Sequence, residues 1–242
     1  MDESRYALPG VEKIQRGPLR EQVRAQIKQL ILTNQLRPGQ AIVIDRLASE
    51  LGVSHTPVRE ALAMLQHDGL VTMRPYENPR VAEIEASDVR DAWEMRLLLE
   101  GWAINEAALR LSEDALDEIA EALACARQDA GESRYDSHLE SDVTMHEMIL
   151  QATGNRLFER LARLVNDQSV RIRWLVETIA PAEEVLVMID EHCGIVQALR
   201  ARDQELAYER LMVHLKGGKE RTLRALEKLR TDREERGDHG HC

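Results

Sequence analysis

Aromatic side chains are scarce: of 242 residues one is Phe, four are Tyr and three are Trp, 3% in all. Strands favour aromatic and β-branched residues, whereas the Leu, Ala, Glu and Arg that dominate here favour helix, so the composition excludes an all-β fold and points to a mostly α chain. No uncharged apolar run is long enough to span a bilayer, and the opening MDESRYALPG has neither the basic start nor the apolar stretch of a signal peptide. A cytoplasmic protein with no membrane partner is expected. The three cysteines, Cys125, Cys193 and Cys242, are odd in number and too widely spaced for a CxxC pair. That argues against a disulfide framework and a cysteine zinc knuckle.

What the chain has in excess is acid, with a net charge of -11, but the acid is unevenly placed. Residues 1–80 carry 11 Lys or Arg against 9 Asp or Glu, a net of +2, while the remainder carries 21 against 34, a net of -13. The acidity therefore belongs to the second part and leaves the first compatible with a polyanionic partner.

The periodicity follows the same division. After Gly17-Pro18, Leu19, Val23, Ile27, Leu30 and Ile31 recur at helical spacing, and L36-R-P-G39 ends the pattern. D45-R-L-A-S-E-L51 reads as a short second helix with Asp45 as N-cap and Gly52 as its stop. Thr56-Pro57 reads as the N-cap and first residue of a third helix, with Val58, Ala61, Leu62 and Leu65 as its buried stripe. Two β-prone runs follow, L70-V-T-M-R74 and R80-V-A-E-I84, around P75-Y-E-N-P79. From Ser87 onward the pattern is helical in six segments, near 87–110, 112–130, 135–153, 155–179, 182–201 and 203–230.

The expected architecture is an N-terminal arm over 1–16, a winged helix-turn-helix over 17–84, an antiparallel six-helix bundle over 87–230 and a disordered polar tail over 231–242. A short helix, a tight turn and a second helix form the layout that sets a recognition helix in the DNA major groove. With Val58, Leu62 and Leu65 committed to the core, His55, Thr56, Arg59, Ala63 and Gln66 face outward. Arg59 can grip guanine O6 and N7, while the helix start with its Thr56 hydroxyl suits phosphate. Arg74 and Arg80 lie on the wing, and Arg46 on the preceding helix. A small helical subdomain with a solvated face would show the same pattern.

The run G52-V-S-H-T-P-V-R-E-A-L-A-M-L-Q-H-D-G-L-V71 resembles the DNA-binding signature of the GntR family. The helical second part is similar to the FCD effector domain, which places the chain in the FadR-type branch, and its six helices resemble the VanR-like group. The resemblance covers residues 17–230 and implies a DNA-binding transcription regulator that is not an enzyme, with double-stranded operator DNA as partner. A homodimer follows from operator symmetry, and repression relieved by a ligand from family analogy. His55 stands where the family usually has arginine, Asp45 where an arginine often begins the second helix, and the wing tip lacks the usual glycine and carries Glu77. These departures imply an atypical operator.

A second constellation lies in the bundle. Asp142 and His146 share the face of Leu139, Val143, Ile149 and Thr153, four residues apart. His192 fills the slot between Ile189 and Val196, and His214 that between Leu211 and Gly218. One carboxylate and three imidazoles turned inward must be paired with one another, with other groups or with a metal. An intrahelical ion pair with hydrogen-bonded core histidines satisfies that requirement as well as a metal does. The FCD resemblance implies the metal: an Asp-x-x-x-His pair and two later histidines resemble that family's ligand set, and all four positions are filled. Three nitrogens and one oxygen suit zinc, nickel or another borderline divalent ion. Family effectors are often small carboxylates, for which Arg96 is a second anchor unless it pairs with Glu100 one turn on. Two rival readings remain at this level, a metalloenzyme using the Asp/His set and a helical interaction module without DNA affinity.

Overall fold

The computed structural model describes residues 19–131, 136–177 and 179–235. The arm expected over 1–16 lies outside them. The chain divides into two compact units between Ile84 and Glu85.

The first unit holds α1 (Leu19–Leu32), α2 (Ile44–Leu51), α3 (His55–His67), β1 (Val71–Thr72) and β2 (Arg80–Val81). Val23, Ile27 and Leu30 of α1 meet Val58, Leu62 and Leu65 of α3 in a core from which water is excluded. Arg24 of α1 adds a 2.6 Å ion pair to Asp68 at the end of α3. Gly52 ends α2 in the left-handed conformation, φ 69°, with its N–H turned back onto the helix carbonyls, a geometry that costs glycine little.

Both expected caps move. The N-cap of α2 is Val43, and that of α3 is Ser54 in extended conformation; neither makes a side-chain cap bond. Asp45 and Thr56 lie instead inside their first turns. Pro57 is tolerated there because no N–H in the first turn has an intrahelical acceptor. The strands are also shorter than the β-prone runs, two residues each, pairing Val71 with Val81 and Thr72 with Arg80. Pro75 and Pro79 bound the turn between them, and neither offers an N–H to extend the ladder. Tyr76 stands at the wing tip with φ 65°, fully exposed, where the left-handed conformation would favour glycine.

The second unit is an antiparallel bundle of α4 (Ala86–Arg110), α5 (Glu113–Gly131), α6 (Asp136–Gln151), α7 (Arg156–Glu177), α8 (Ala182–Arg200) and α9 (Gln204–Glu235). Local chemistry sets the breaks. Glu85 and Asp88 form a reciprocal capping box at α4, Ser112 accepts the Ala115 N–H at α5, and Asn155 accepts the N–H groups of Leu157 and Phe158 at α7. α9 continues to Glu235, so residues 231–235 of the expected tail are helical; residues 236–242 lie outside the described part. Ile104, Leu116, Ile119, Met145, Ile149, Leu199 and Leu211 build the main core. α4 packs along α9 and also against α6 and α7, which brings α4, α6, α8 and α9 around one polar interior.

Candidate functional site

α6 places Asp142 and His146 one turn apart, α8 supplies His192 and α9 His214, and all four are buried. One donor atom from each lies within 4.8 Å of the others. Asp142 Oδ1 is 3.4 Å from His146 Nε2 and 3.2 Å from His192 Nε2, which is 3.2 Å from His214 Nε2. Adjacent ligands held about 2.0–2.1 Å from a divalent ion stand about 2.9–3.4 Å apart in octahedral or tetrahedral geometry, so these three separations suit neighbouring ligands of one ion.

The outer partners fix which nitrogens face inward. His146 Nδ1 lies 2.5 Å from Glu100 Oε2, and Arg96 Nε donates to Glu100 Oε1 at 2.7 Å. His214 Nδ1 lies 2.8 Å from Glu191 Oε2, while Arg221 donates to both Glu191 oxygens at 3.0 and 2.7 Å. With Nδ1–H donated to a carboxylate, Nε2 carries the lone pair, as carboxylate–imidazole–metal arrangements require. His146 Nε2 is buried and has no hydrogen-bond partner among the described residues.

Burial, reinforced by the neighbouring imidazoles and by Arg96, pushes His192 and His214 well below the usual histidine pKa. His146 is lowered too, chiefly by burial, with Glu100 opposing. Glu100 has the reverse balance: burial would raise its pKa, but Arg96 and His146 together hold it below the usual carboxylate range. A neutral imidazole is the protonation state in which histidine ligates a metal.

Sequence reasoning missed four members of this environment. His138 is fully buried, its pKa pushed down to about 3 by burial and the nearby His192, Arg173 and Arg221, and its ring stacks on His192 at 6.0 Å. The spacing 138, 142, 146 carried that signal. Arg173 is buried against Asp142 Oδ2. Glu191 and Arg221 come from different helices, α8 and α9, and no local pattern joins them.

A cavity of about 260 Å³ adjoins the cluster, with Arg96, Asp142, Arg173, His214 and Arg221 among its lining residues. Arg96 makes the pair with Glu100 and also lines the cavity, so the two expected roles coexist. Its Nη2 is buried with no hydrogen-bond partner among the described residues.

In the first unit His55, Thr56, Arg59, Ala63 and Gln66 are exposed along one face of α3. Arg59 and Arg74 make no ion pair among the described residues. The other expected contacts are engaged: His55 Nε2 lies 3.3 Å from Asp45, Arg46 pairs with Glu50 at 2.8 Å, and Arg80 donates to the Gly39 carbonyl at 2.9 Å.

Residues 19–78 match the bacterial regulatory proteins of the gntR family, and residues 91–217 match the FCD domain. The chain belongs to the GntR family. The HTH-type transcriptional repressor NanR of Cronobacter sakazakii is 25% identical over 225 residues, spanning 85% of this chain and 84% of that protein. The solved structure of E. coli McbR/YncC has the same fold, with a TM-score of 0.75 at 21% identity over 84% of this chain and 96% of that one. The Zn²⁺-bound FCD domain of TM0439 is similar at 25% identity and a TM-score of 0.50, over 60% of this chain and 98% of that one. This GntR member is thus a DNA-binding transcription regulator of the FadR-type branch, with an FCD effector domain. No described helix is long and apolar enough to cross a membrane.

Proposed function

We propose that Asp142, His146, His192 and His214 hold one divalent ion, zinc or nickel, and that a small carboxylate enters the adjoining cavity against that ion and Arg96, altering affinity for operator DNA. The observation that carries this reading is the convergence of three Nε2 atoms and one carboxylate oxygen, with two of the imidazoles oriented by Glu100 and Glu191. The zinc-bound FCD relative supports it. A bound cation would supply positive charge for a carboxylate in an otherwise acidic unit. Because the family consists of transcription regulators, the site serves sensing rather than catalysis, in the cytoplasm. Repression, relieved by the ligand, agrees with the repressor NanR.

On the DNA side, Arg59 is the principal base contact. Thr56, His55 and Gln66 lie beside it and Arg74 reaches from the wing, while Arg46 and Arg80 contribute from their tethered positions. The experiment is a titration of DNA flanking its own gene with zinc-loaded protein and a panel of carboxylates. Nanomolar binding weakened by one of them is expected; absence of any specific binding overturns the reading.

A homodimer is supported by an exposed apolar face on α4 and α7. Leu98, Trp102 and Leu109 lie beside Leu157, Leu161 and Leu164, joined where Trp102 meets Phe158 at 4.8 Å. Contiguous apolar surface of this kind marks interfaces, and a two-fold operator asks for two reading heads. Leu98→Asp with Leu161→Asp is expected to sediment as a monomer and to lose affinity for the full operator. A wild-type monomer at micromolar concentration would contradict the dimer.

A further inference from the structure

The cavity beside the cluster is not uniformly polar. Arg96, Asp142, Arg173, His214 and Arg221 line it on the cluster side, Trp93, Val176, Ile179, Ala180 and Met188 give it an apolar wall, and Glu184, Thr222 and the exposed Arg224 and Lys228 complete the lining. Among the described residues, Arg96 Nη2 and Trp93 Nε1 are donors on its lining that are buried without hydrogen-bond partners, as is Arg221 Nε. Buried donors are rarely left unmade, since each such loss costs free energy. Those of Arg96 and Trp93 also lie close together: the Arg96 guanidinium carbon is 5.3 Å from the centre of the Trp93 ring.

Gly218, one turn after His214 on α9, keeps the indole edge open. A Cβ there would lie 3.4 Å from Trp93 Nε1, an ordinary contact that alanine could make without displacing anything but that would cover the N–H.

We infer that the effector is a carboxylate with a hydrogen-bond acceptor on the neighbouring carbon and an apolar body, rather than a polyhydroxylated acid. The carboxylate meets Arg96 Nη2, the adjacent oxygen accepts from Trp93 Nε1, and the body lies along Val176, Ile179 and Met188. This rests on the carboxylate reading of the site and assigns Trp93 the role of selecting among carboxylates. A polyhydroxylated acid would set part of its hydroxyl groups against Val176, Ile179 and Met188, which offer no hydrogen-bond partner, and that weakens its binding. At about 30 Å³ per water, the cavity has room for about nine water-sized volumes, a body of roughly ten non-hydrogen atoms.

The test compares 4-methyl-2-oxopentanoate, 4-methylpentanoate and gluconate by calorimetry on the full chain, with and without one equivalent of zinc. Wild-type protein is expected to bind the oxo acid at least tenfold more tightly than the acid lacking the oxo group, and gluconate most weakly. Trp93→Phe, which keeps the ring and removes the N–H, and Gly218→Ala, which covers it, should each erase the oxo preference while leaving zinc affinity unchanged. In the wild type, the Trp93 indole N–H resonance, assigned by its loss in Trp93→Phe, should move on addition of the oxo acid. Tighter binding of gluconate, an oxo preference that survives both variants, or binding of neither apolar acid overturns the inference and leaves the metal centre standing. Failure to take up zinc counts against the metal reading alone, since the acid titrations are also run without it.

Discussion

Arg59→Ala binds its operator roughly tenfold to a hundredfold more weakly than wild type, and discrimination at one base pair of each half-site relaxes with it. Several of the other basic side chains on the reading head are already committed. Arg46 is held by Glu50, Arg80 by the Gly39 carbonyl, and His55 lies against Asp45. Arg59 is exposed on the outer face of α3, with no such partner among the described residues. A guanidinium that reaches guanine O6 and N7 is worth about 1–3 kcal/mol of discrimination, which sets the size of the expected loss. Because Arg59 is exposed, its truncation leaves stability within about 0.5 kcal/mol, so the loss is separable from unfolding. Arg59→Lys restores charge without the planar fork and recovers affinity without the base preference. Fluorescence anisotropy on the operator and on single-base variants checks both. Unchanged affinity in Arg59→Ala would remove Arg59 as the principal contact.

The second large effect lies one layer behind the metal ligands. Glu191→Gln is expected to weaken zinc binding by about 10–100-fold without touching the ion, because the carboxylate fixes the His214 tautomer and makes its Nε2 a better donor. Its other partner, Arg221, is part-buried and keeps access to solvent, so the stability cost is small. Glu100→Gln should weaken zinc by a similar factor but also destabilise the protein, by about 3–5 kcal/mol, because it leaves Arg96 buried without its counter-charge. Competition against a chromophoric chelator measures the first effect and thermal unfolding of the metal-free proteins the second. Equal zinc affinity in Glu191→Gln and wild type would mean that the outer carboxylate does not orient the ligand.

Much of this was legible in the sequence, for physical reasons that differ from element to element. The helices were, because their apolar positions recur every three or four residues over long stretches. Their starts were less so: Ser54, Thr56 and Pro57 all suit a helix start, and the cap falls at Ser54. The wing was overextended because the β-prone runs say nothing about Pro75 and Pro79 closing the ladder. Asp142 and His146 were visible as a pair on an apolar stripe, and His192 and His214 as polar residues in apolar slots. Glu191 and Arg221 were not, because charged residues on α8 and α9 look like solvated faces until the fold brings the two helices together. Trp93 reads as ordinary core from its spacing, and only its unpartnered N–H beside a cavity separates it from one.

Sensing in this regulator depends on the buried Asp/His cluster being a metal centre. Equilibrium dialysis of untagged protein against zinc, with metal content measured by mass spectrometry, decides it. One zinc per protomer is expected in the wild type and none above background in a His192→Ala protein that still binds operator DNA. No zinc in the wild type, or the same content in both proteins, would contradict it.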